Sequence, residues 1–328
     1  MAMADQRIPL TVIGGYLGAG KTTLVNHVLR STDERIAVIV NDFGEISIDE
    51  DLIIAADSDK LTLANGCICC SLADGFAAAL DTVRSAAVPP ARLLIEASGV
   101  ADPNQIAAYG HTPGLALDAV VVLADAEQVR RQANHRWVAD TVRIQLAAAD
   151  LVVVNKIDLL AAPEDADALC DWLTGVANGA TLVRASRAAV PMDVIFGPEL
   201  REHAAGRSPS TVALSAPAAH DTAEDVFESQ TVELDAPVPL PVIEALVANL
   251  PNGVARLKGL VQAAPPASAD DANAAETAYL VEAIGKRTSM TPHATDPTQP
   301  PPRWAISLIS HKGSLAPDWL ESRLHERN

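Results

Sequence analysis

Aromatic side chains are scarce in this chain: Phe, Trp and Tyr make up 3% of 328 residues, although 49% of the chain is hydrophobic. A core must therefore be built from Ala, Val, Leu and Ile, and that hydrophobic fraction excludes disorder of the whole chain. Positive charge is also sparse. Lys and Arg number 24 against 42 Asp and Glu, a net charge of −18, so binding of nucleic acid or an anionic membrane through the whole surface is excluded, and any phosphate site must be local. No run approaches the roughly 18 uninterrupted apolar residues of a membrane span. Residues 1–14 carry neither a basic n-region nor an apolar h-region, so a cytoplasmic location is expected. Cysteine occurs four times, three of them in Cys67-Ile68-Cys69-Cys70. That crowding is useless for a secreted disulfide framework and suits metal or redox chemistry in a reducing compartment.

Short β-branched runs alternate with helical segments through the first two thirds of the chain. Strands are expected at Ile8–Ile13, Ile36–Val40, Leu93–Glu96, Ala119–Ala124, Leu151–Val154 and Thr181–Val183, with helices at Lys21–Leu29, Ser71–Val83, Trp137–Ala148 and Asp165–Thr174. Near-continuous apolar strands with helical crossovers predict an α/β domain, its mainly parallel sheet covered by helices on both faces. The pattern breaks near Arg201, where Ala, Ser, Pro and His dominate without a period, as in a linker. The expected organisation is a nucleotide-binding domain over residues 1–205, a linker over 206–225 and a smaller α+β domain over 226–328. In that domain strands are expected at Val226–Leu234, Val254–Val261, Ala278–Ala283 and Trp304–Ile309, with helices at Leu240–Leu250 and Pro317–Leu324. Ala263–Ala275 and Thr291–Pro302 are expected as loops.

Gly15-Tyr16-Leu17-Gly18-Ala19-Gly20-Lys21-Thr22 fits G-x-x-x-x-G-K-[ST] between a strand and a helix, the context a P-loop requires. Backbone N–H groups of Gly15, Gly18, Ala19 and Gly20 would curl around phosphate oxygens, Lys21 would reach the β- and γ-phosphates, and the Thr22 hydroxyl, followed by Thr23, would hold Mg²⁺. Val152-Val153-Val154-Asn155-Lys156-Ile157-Asp158 puts N-K-x-D at a strand end. Guanine presents two adjacent donors that one carboxylate can accept, whereas adenine would leave Asp158 unpaired; Asn155 and Lys156 would brace the loop and the base. Taken alone, N-K-x-D is also a common solvated loop. Ala185-Ser186 could offer an N–H to the guanine O6, or form an ordinary turn. Glu96, at the end of Arg92–Glu96, could hold Mg²⁺ through water, and Gly99 could meet the γ-phosphate and move when it leaves; a strand-end acid and a turn glycine are the alternative. Asn41-Asp42-Phe43-Gly44-Glu45 is a second candidate switch. No arginine finger or water-positioning Gln is identifiable, so GTP hydrolysis to GDP and phosphate is expected to be slow.

Thiolates suit Zn²⁺, and a helix start lowers thiol pKa toward the metal-binding form. Cys67, Cys69 and Cys70 supply three ligands, leaving a fourth position to Glu45, Asp42, a His or water. A redox pair or inert buried cysteine are the alternatives. Cys170 is expected in the core.

The order Gly14 to Leu24, Asn41 to Glu45, Gly66-Cys67-Ile68-Cys69-Cys70, Glu96-Ala97-Ser98-Gly99 and Asn155 to Asp158 resembles the CobW-type P-loop GTPases, metal chaperones and metallocentre-assembly factors. Arg256-Leu257-Lys258-Gly259 and Gly285-Lys286-Arg287 are similar to motifs of the CobW C-terminal domain. The resemblance implies a GTPase that carries Zn²⁺, or Co²⁺, at the C-x-C-C loop and delivers it to a client metalloprotein under control of GTP. Two departures stand out. Asp42 occupies a position usually held by Glu, one methylene longer, and no His tract is present, so metal storage by such a tract is not expected. Alternatives are a nucleotide-gated interaction protein in which metal regulates docking to a client enzyme, and a small-molecule kinase or ATPase, against which N-K-x-D argues.

Overall fold

The computed structural model describes residues 7–32, 34–42, 61–66, 73–197, 227–251, 253–264, 277–293 and 304–325. The chain divides into two compact units, Met1–Ile195 and Phe196–Asn328. The segment 206–225, expected as a linker, lies outside the described residues.

In the first unit the strands are β1 (Ile8–Gly15), β2 (Ile36–Asp42), β3 (Leu61–Gly66), β4 (Arg92–Glu96), β5 (Leu115–Asp125), β6 (Leu151–Asn155) and β7 (Thr181–Ala185). They form one parallel sheet in the order β3-β2-β4-β1-β5-β6-β7. The helices are α1 (Lys21–Ser31), α2 (Ala73–Arg84), α3 (Pro103–Ala107), α4 (Val129–Gln132), α5 (Ala139–Ala148), α6 (Pro163–Val176) and α7 (Met192–Phe196). Every residue of β6 is buried, as are all but the first of β4, so both faces of the sheet are covered and the strands carry no polar alternation. Leu10, Val12, Ile39, Ile95, Val122 and Val154 join Phe76 of α2 and Leu146 of α5 in one core, with few aromatic rings among its members.

Register sets what meets at the carboxyl ends of these strands. Ile13 pairs with Glu96, Asp125 with Asn155, Asn155 with Ala185, and Asp42 with Gly66, the residue before Cys67. In an open α/β sheet ligands bind at this edge, where the strand order reverses. The order here reverses at β1, between β4 and β5.

The second unit has β8 (Phe227–Glu233), β9 (Val238–Pro239), α8 (Leu240–Ala248), β10 (Val254–Ala264), β11 (Thr277–Ile284), β12 (Arg287–Pro292), β13 (Ala305–His311) and α9 (Trp319–His325). Its sheet runs β12-β11-β10-β13-β8 with antiparallel neighbours, and β9 adds a short parallel pairing at the end of β10. Ile243 and Leu246 of α8 and Leu320 and Leu324 of α9 pack with Leu257, Val261 and Leu308 of the strands. The motif residues of this unit have structural work. Arg256 is almost wholly buried, Lys258 pairs across strands with Glu282 at 3.3 Å, and a Cβ on Gly259 would lie 2.7 Å from Ile306 Cγ1. Gly285 and Lys286 form the two-residue turn between β11 and β12, with Gly285 at φ +52°.

Candidate nucleotide site

Gly15 ends β1 and Gly18, Ala19 and Gly20 lie in the loop joining it to α1, with Lys21, Thr22 and Thr23 opening the helix. Gly15, Gly18 and Gly20 all have positive φ, at +131°, +76° and +107°. Gly20 is the N-cap of α1 and offers no side-chain cap, in contrast to α3, where the Asp102 carboxylate accepts from the Asn104 N–H at 2.9 Å. The start of α1 therefore carries no side-chain cap at its N-cap position, the kind of helix start at which an anion can bind.

The Thr22 hydroxyl donates to Glu96 Oε1 at 2.8 Å, and Glu96 is buried at 2% exposure. Parallel pairing of β1 with β4 makes this bond, because it brings the end of β4 beside the start of the loop. Gly99 follows, packed so closely that a Cβ there would lie 2.5 Å from Leu17 Cδ2 and 3.0 Å from the Leu17 nitrogen. The loop carrying Gly99 is held from below by Gln145 of α5. Its Nε2 donates to the carbonyls of Gly99 at 3.1 Å and Ala101 at 2.9 Å.

Asn155, at the end of β6, joins two loops. Its Nδ2 donates to the Ala19 carbonyl of the P-loop at 2.9 Å, and its Oδ1 accepts the Ala188 N–H at 2.8 Å. Its neighbour Lys156, at φ +64°, forms a 2.7 Å ion pair with Asp125, the last residue of β5. Arg187 and Ala188, after β7, also have positive φ, at +53° and +55°. Three of the four non-glycine residues with left-handed backbone among the described residues thus sit in two neighbouring loops, a costly conformation that clusters where chain geometry serves a ligand. Asp158 follows in a 3₁₀ turn, Ile157–Leu159, and is exposed.

The P-loop, Glu96, Gly99 and Asn155 are thereby joined by direct bonds or contacts, while Lys156 is tied to Asp125 and Asp158 stands clear. Sequence reasoning missed Asp125, Gln145 and Ala188. Asp125 had one usable signal, an acid at the end of a buried strand; Gln145 and Ala188 had none. Cys67, Cys69, Cys70 and Glu45 lie outside the described residues, and Asp42 is placed only as the end of β2. Among the described residues no group of three or more His, Cys, Asp or Glu is arranged to hold a metal ion. Cys170 is a half-buried free thiol on α6, packed against the core edge. No helix of the described residues is long and apolar enough to cross a membrane.

A parallel sheet whose first strand runs through a glycine loop and Lys-Thr into an uncapped helix defines a P-loop nucleotide-binding protein. Residues 9–184 match the family described as CobW/HypB/UreG, nucleotide-binding domain, and the chain belongs to that family of P-loop GTPases. The zinc chaperone CobW of a Sinorhizobium species is 29% identical, across 87% of this chain and 88% of that protein. The zinc chaperone YjiA of Escherichia coli K12 is 32% identical over 74% of this chain and 77% of its own length. The zinc-regulated GTPase metalloprotein activator 1 of Saccharomyces cerevisiae is 34% identical, over 47% of this chain and 42% of that protein.

Proposed function

We propose that the chain is a GTP-hydrolysing metal chaperone that binds Zn²⁺, or Co²⁺, at Cys67, Cys69 and Cys70 and delivers it to a client metalloprotein. The observation that carries the nucleotide half is Asn155, whose two side-chain bonds lock the N-K-x-D loop to both the P-loop and the loop after β7. Gly15, Gly18, Ala19 and Gly20 cradle the phosphates through backbone N–H groups, and Lys21 neutralises the β- and γ-oxygens. Thr22 and Glu96 present two hard oxygens at the loop, a donor set that fits Mg²⁺. Held by Thr22 and Glu96, Mg²⁺ would supply positive charge to offset the negative charge that develops on the phosphates during hydrolysis. Thr23 extends the helix-start cradle. Asp158 accepts both guanine donors, and Lys156, set by Asp125, lies along the base.

The metal half rests on the thiolate preference of zinc, on relatives named as zinc chaperones, and on strand register. Asp42, three residues before Glu45 in the chain, pairs with Gly66, the residue before Cys67. Glu45 or Asp42 completes the metal's coordination, and Gly99 reports the γ-phosphate to the same edge. The client is a metalloprotein that needs the same ion.

Two titrations test the reading. GDP is expected to bind at least about tenfold tighter than ADP, because adenine offers the Asp158 carboxylate no pair of donors to accept; equal affinities remove the guanine assignment. Wild type is expected to retain one zinc ion that a Cys67→Ser, Cys69→Ser, Cys70→Ser triple variant loses. Equal zinc in both removes the motif from the metal site.

A further inference from the structure

The chain carries far more acid than base, yet Arg130, Arg131, Arg136 and Arg143 fall within fourteen residues that contain one carboxylate, Asp140. Elsewhere the fold pairs its cations with acids: Arg92 with Glu34, Lys156 with Asp125, Arg184 with Asp167 and Lys258 with Glu282. These four arginines have no carboxylate partner among the described residues. Their partners are neutral. Arg143 donates from Nε to the Ala133 carbonyl at 2.8 Å and from Nη2 to Asn134 Oδ1 at 3.1 Å. Arg130 donates to the Ala168 carbonyl and lies 5.5 Å from the Trp172 ring centroid, and Arg131 donates to Gln128 Oε1. The Arg136 guanidinium lies 4.7 Å from the centroid of Trp137, whose residue exposure is 74%.

Two of these arginines are joined through one residue. Asn134 donates from Nδ2 to the Arg130 carbonyl while accepting from Arg143, so the turn between α4 and α5 is bound to both helices. An exposed Trp flanked by arginines that keep their charge uncompensated has the composition of an interface centre, where Trp and Arg contribute most. Two further large apolar side chains of the same unit are exposed. Ile144, at 47% exposure, precedes Gln145, and Val100, at 44%, lies between the two carbonyls that Gln145 holds.

We propose that this surface docks an acidic segment of a partner protein, its carboxylates meeting the arginine forks and an apolar side chain covering Trp137. Arg presents paired N–H donors that match a carboxylate, and complementary charge raises both the encounter rate and selectivity. The net charge of −18 selects the size of the occupant. A nucleic acid or an anionic membrane would lay negative charge over the acidic remainder of the molecule, whereas a short acidic peptide confines it to the patch. The proposal does not depend on which nucleotide or metal the chain binds.

The test is fluorescence anisotropy of a labelled peptide of about 15 residues built from Glu and Leu, titrated with the full chain at low salt, beside the same peptide with Lys for Glu. The Glu peptide is expected to saturate, to bind at least about tenfold tighter than the Lys peptide, and to weaken as salt rises. Trp137→Ala and the double variant Arg131→Glu, Arg136→Glu are each expected to weaken it at least about fivefold with an unchanged circular dichroism spectrum, while Arg323→Glu on α9 leaves it unchanged. The charge-neutral double variant Arg131→Gln, Arg136→Gln stands in if charge reversal impairs folding, with the same loss expected. Absence of saturable binding, or equal binding by the variants, overturns the proposal. So does tighter binding of a single-stranded oligonucleotide or of phosphatidylserine vesicles, or a self-association that the variants abolish.

Discussion

Asn155 is buried at 2% exposure and uses both ends of its side chain on main-chain groups of other loops. Replacing it with Ala strands the Ala19 carbonyl and the Ala188 N–H together, each costing about 1–3 kcal/mol when left unsatisfied. Asn155→Ala is therefore expected to lower the melting temperature and to weaken GDP binding at least about tenfold; thermal unfolding with and without GDP reads both effects. Asp158 is exposed and bears no such structural load. Asp158→Asn is expected to leave the melting temperature of the nucleotide-free chain unchanged and to move preference from GDP toward xanthosine diphosphate, a reversal seen by competitive titration. The glycine loop and N-K-x-D were legible in the sequence because each is a local string. Asp125 and Gln145 were not, since they act on Lys156 and Gly99 from 31 and 46 residues away in the chain, and only sheet order brings them there.

Between β1 and α1 the chain turns through backbone angles that L side chains rarely adopt. A Cβ on Gly20 would meet φ +107° and lie 2.5 Å from Asn155 Nδ2, an atom already pinned by its bond to Ala19. Gly20→Ala is expected to destabilise the chain by about 2 kcal/mol or more, measured by urea unfolding, and to weaken GDP binding because the loop must open. The elements with buried apolar runs were visible beforehand: β1, β4, β5 and β6 fall where β-branched runs predict them. Three strands were not, one of them the two-residue β9 (Val238–Pro239). β3 (Leu61–Gly66) is an edge strand, pairing only with β2, and ends in Asn-Gly, which reads as a turn. β12 (Arg287–Pro292) offers one large apolar residue, Met290, and takes its place through the Gly285-Lys286 turn and pairing with β11, overlapping the start of the expected loop Thr291–Pro302. The helix expected over Trp137–Ala148 begins at Ala139, because the His135 carbonyl accepts the N–H groups of Val138 and Ala139 in a turn that precedes it.

Each unit closes its own core, one around a parallel sheet and one around an antiparallel sheet. In the first, one sheet edge gathers the P-loop, Glu96, the Gly99 loop and the ends of β2 and β3 that lead to Glu45 and the cysteines. The proposed chaperone cycle needs the γ-phosphate to alter the grip on metal, which makes the two affinities thermodynamically reciprocal. Thiolate ligation also releases protons, so zinc affinity is expected to fall as pH drops through the thiol range, a slope that isothermal titration at several pH values records. The most direct test of the account is zinc affinity at fixed pH in the nucleotide-free, GDP-bound and non-hydrolysable GTP-analogue states. The account predicts a difference of about 5- to 150-fold between the diphosphate and triphosphate states, and the factor separating the nucleotide-free and analogue-bound states is recovered when analogue affinity is measured with and without zinc. Identical zinc affinity in all three states would contradict it, leaving a GTPase and a metal site on one chain without a cycle between them.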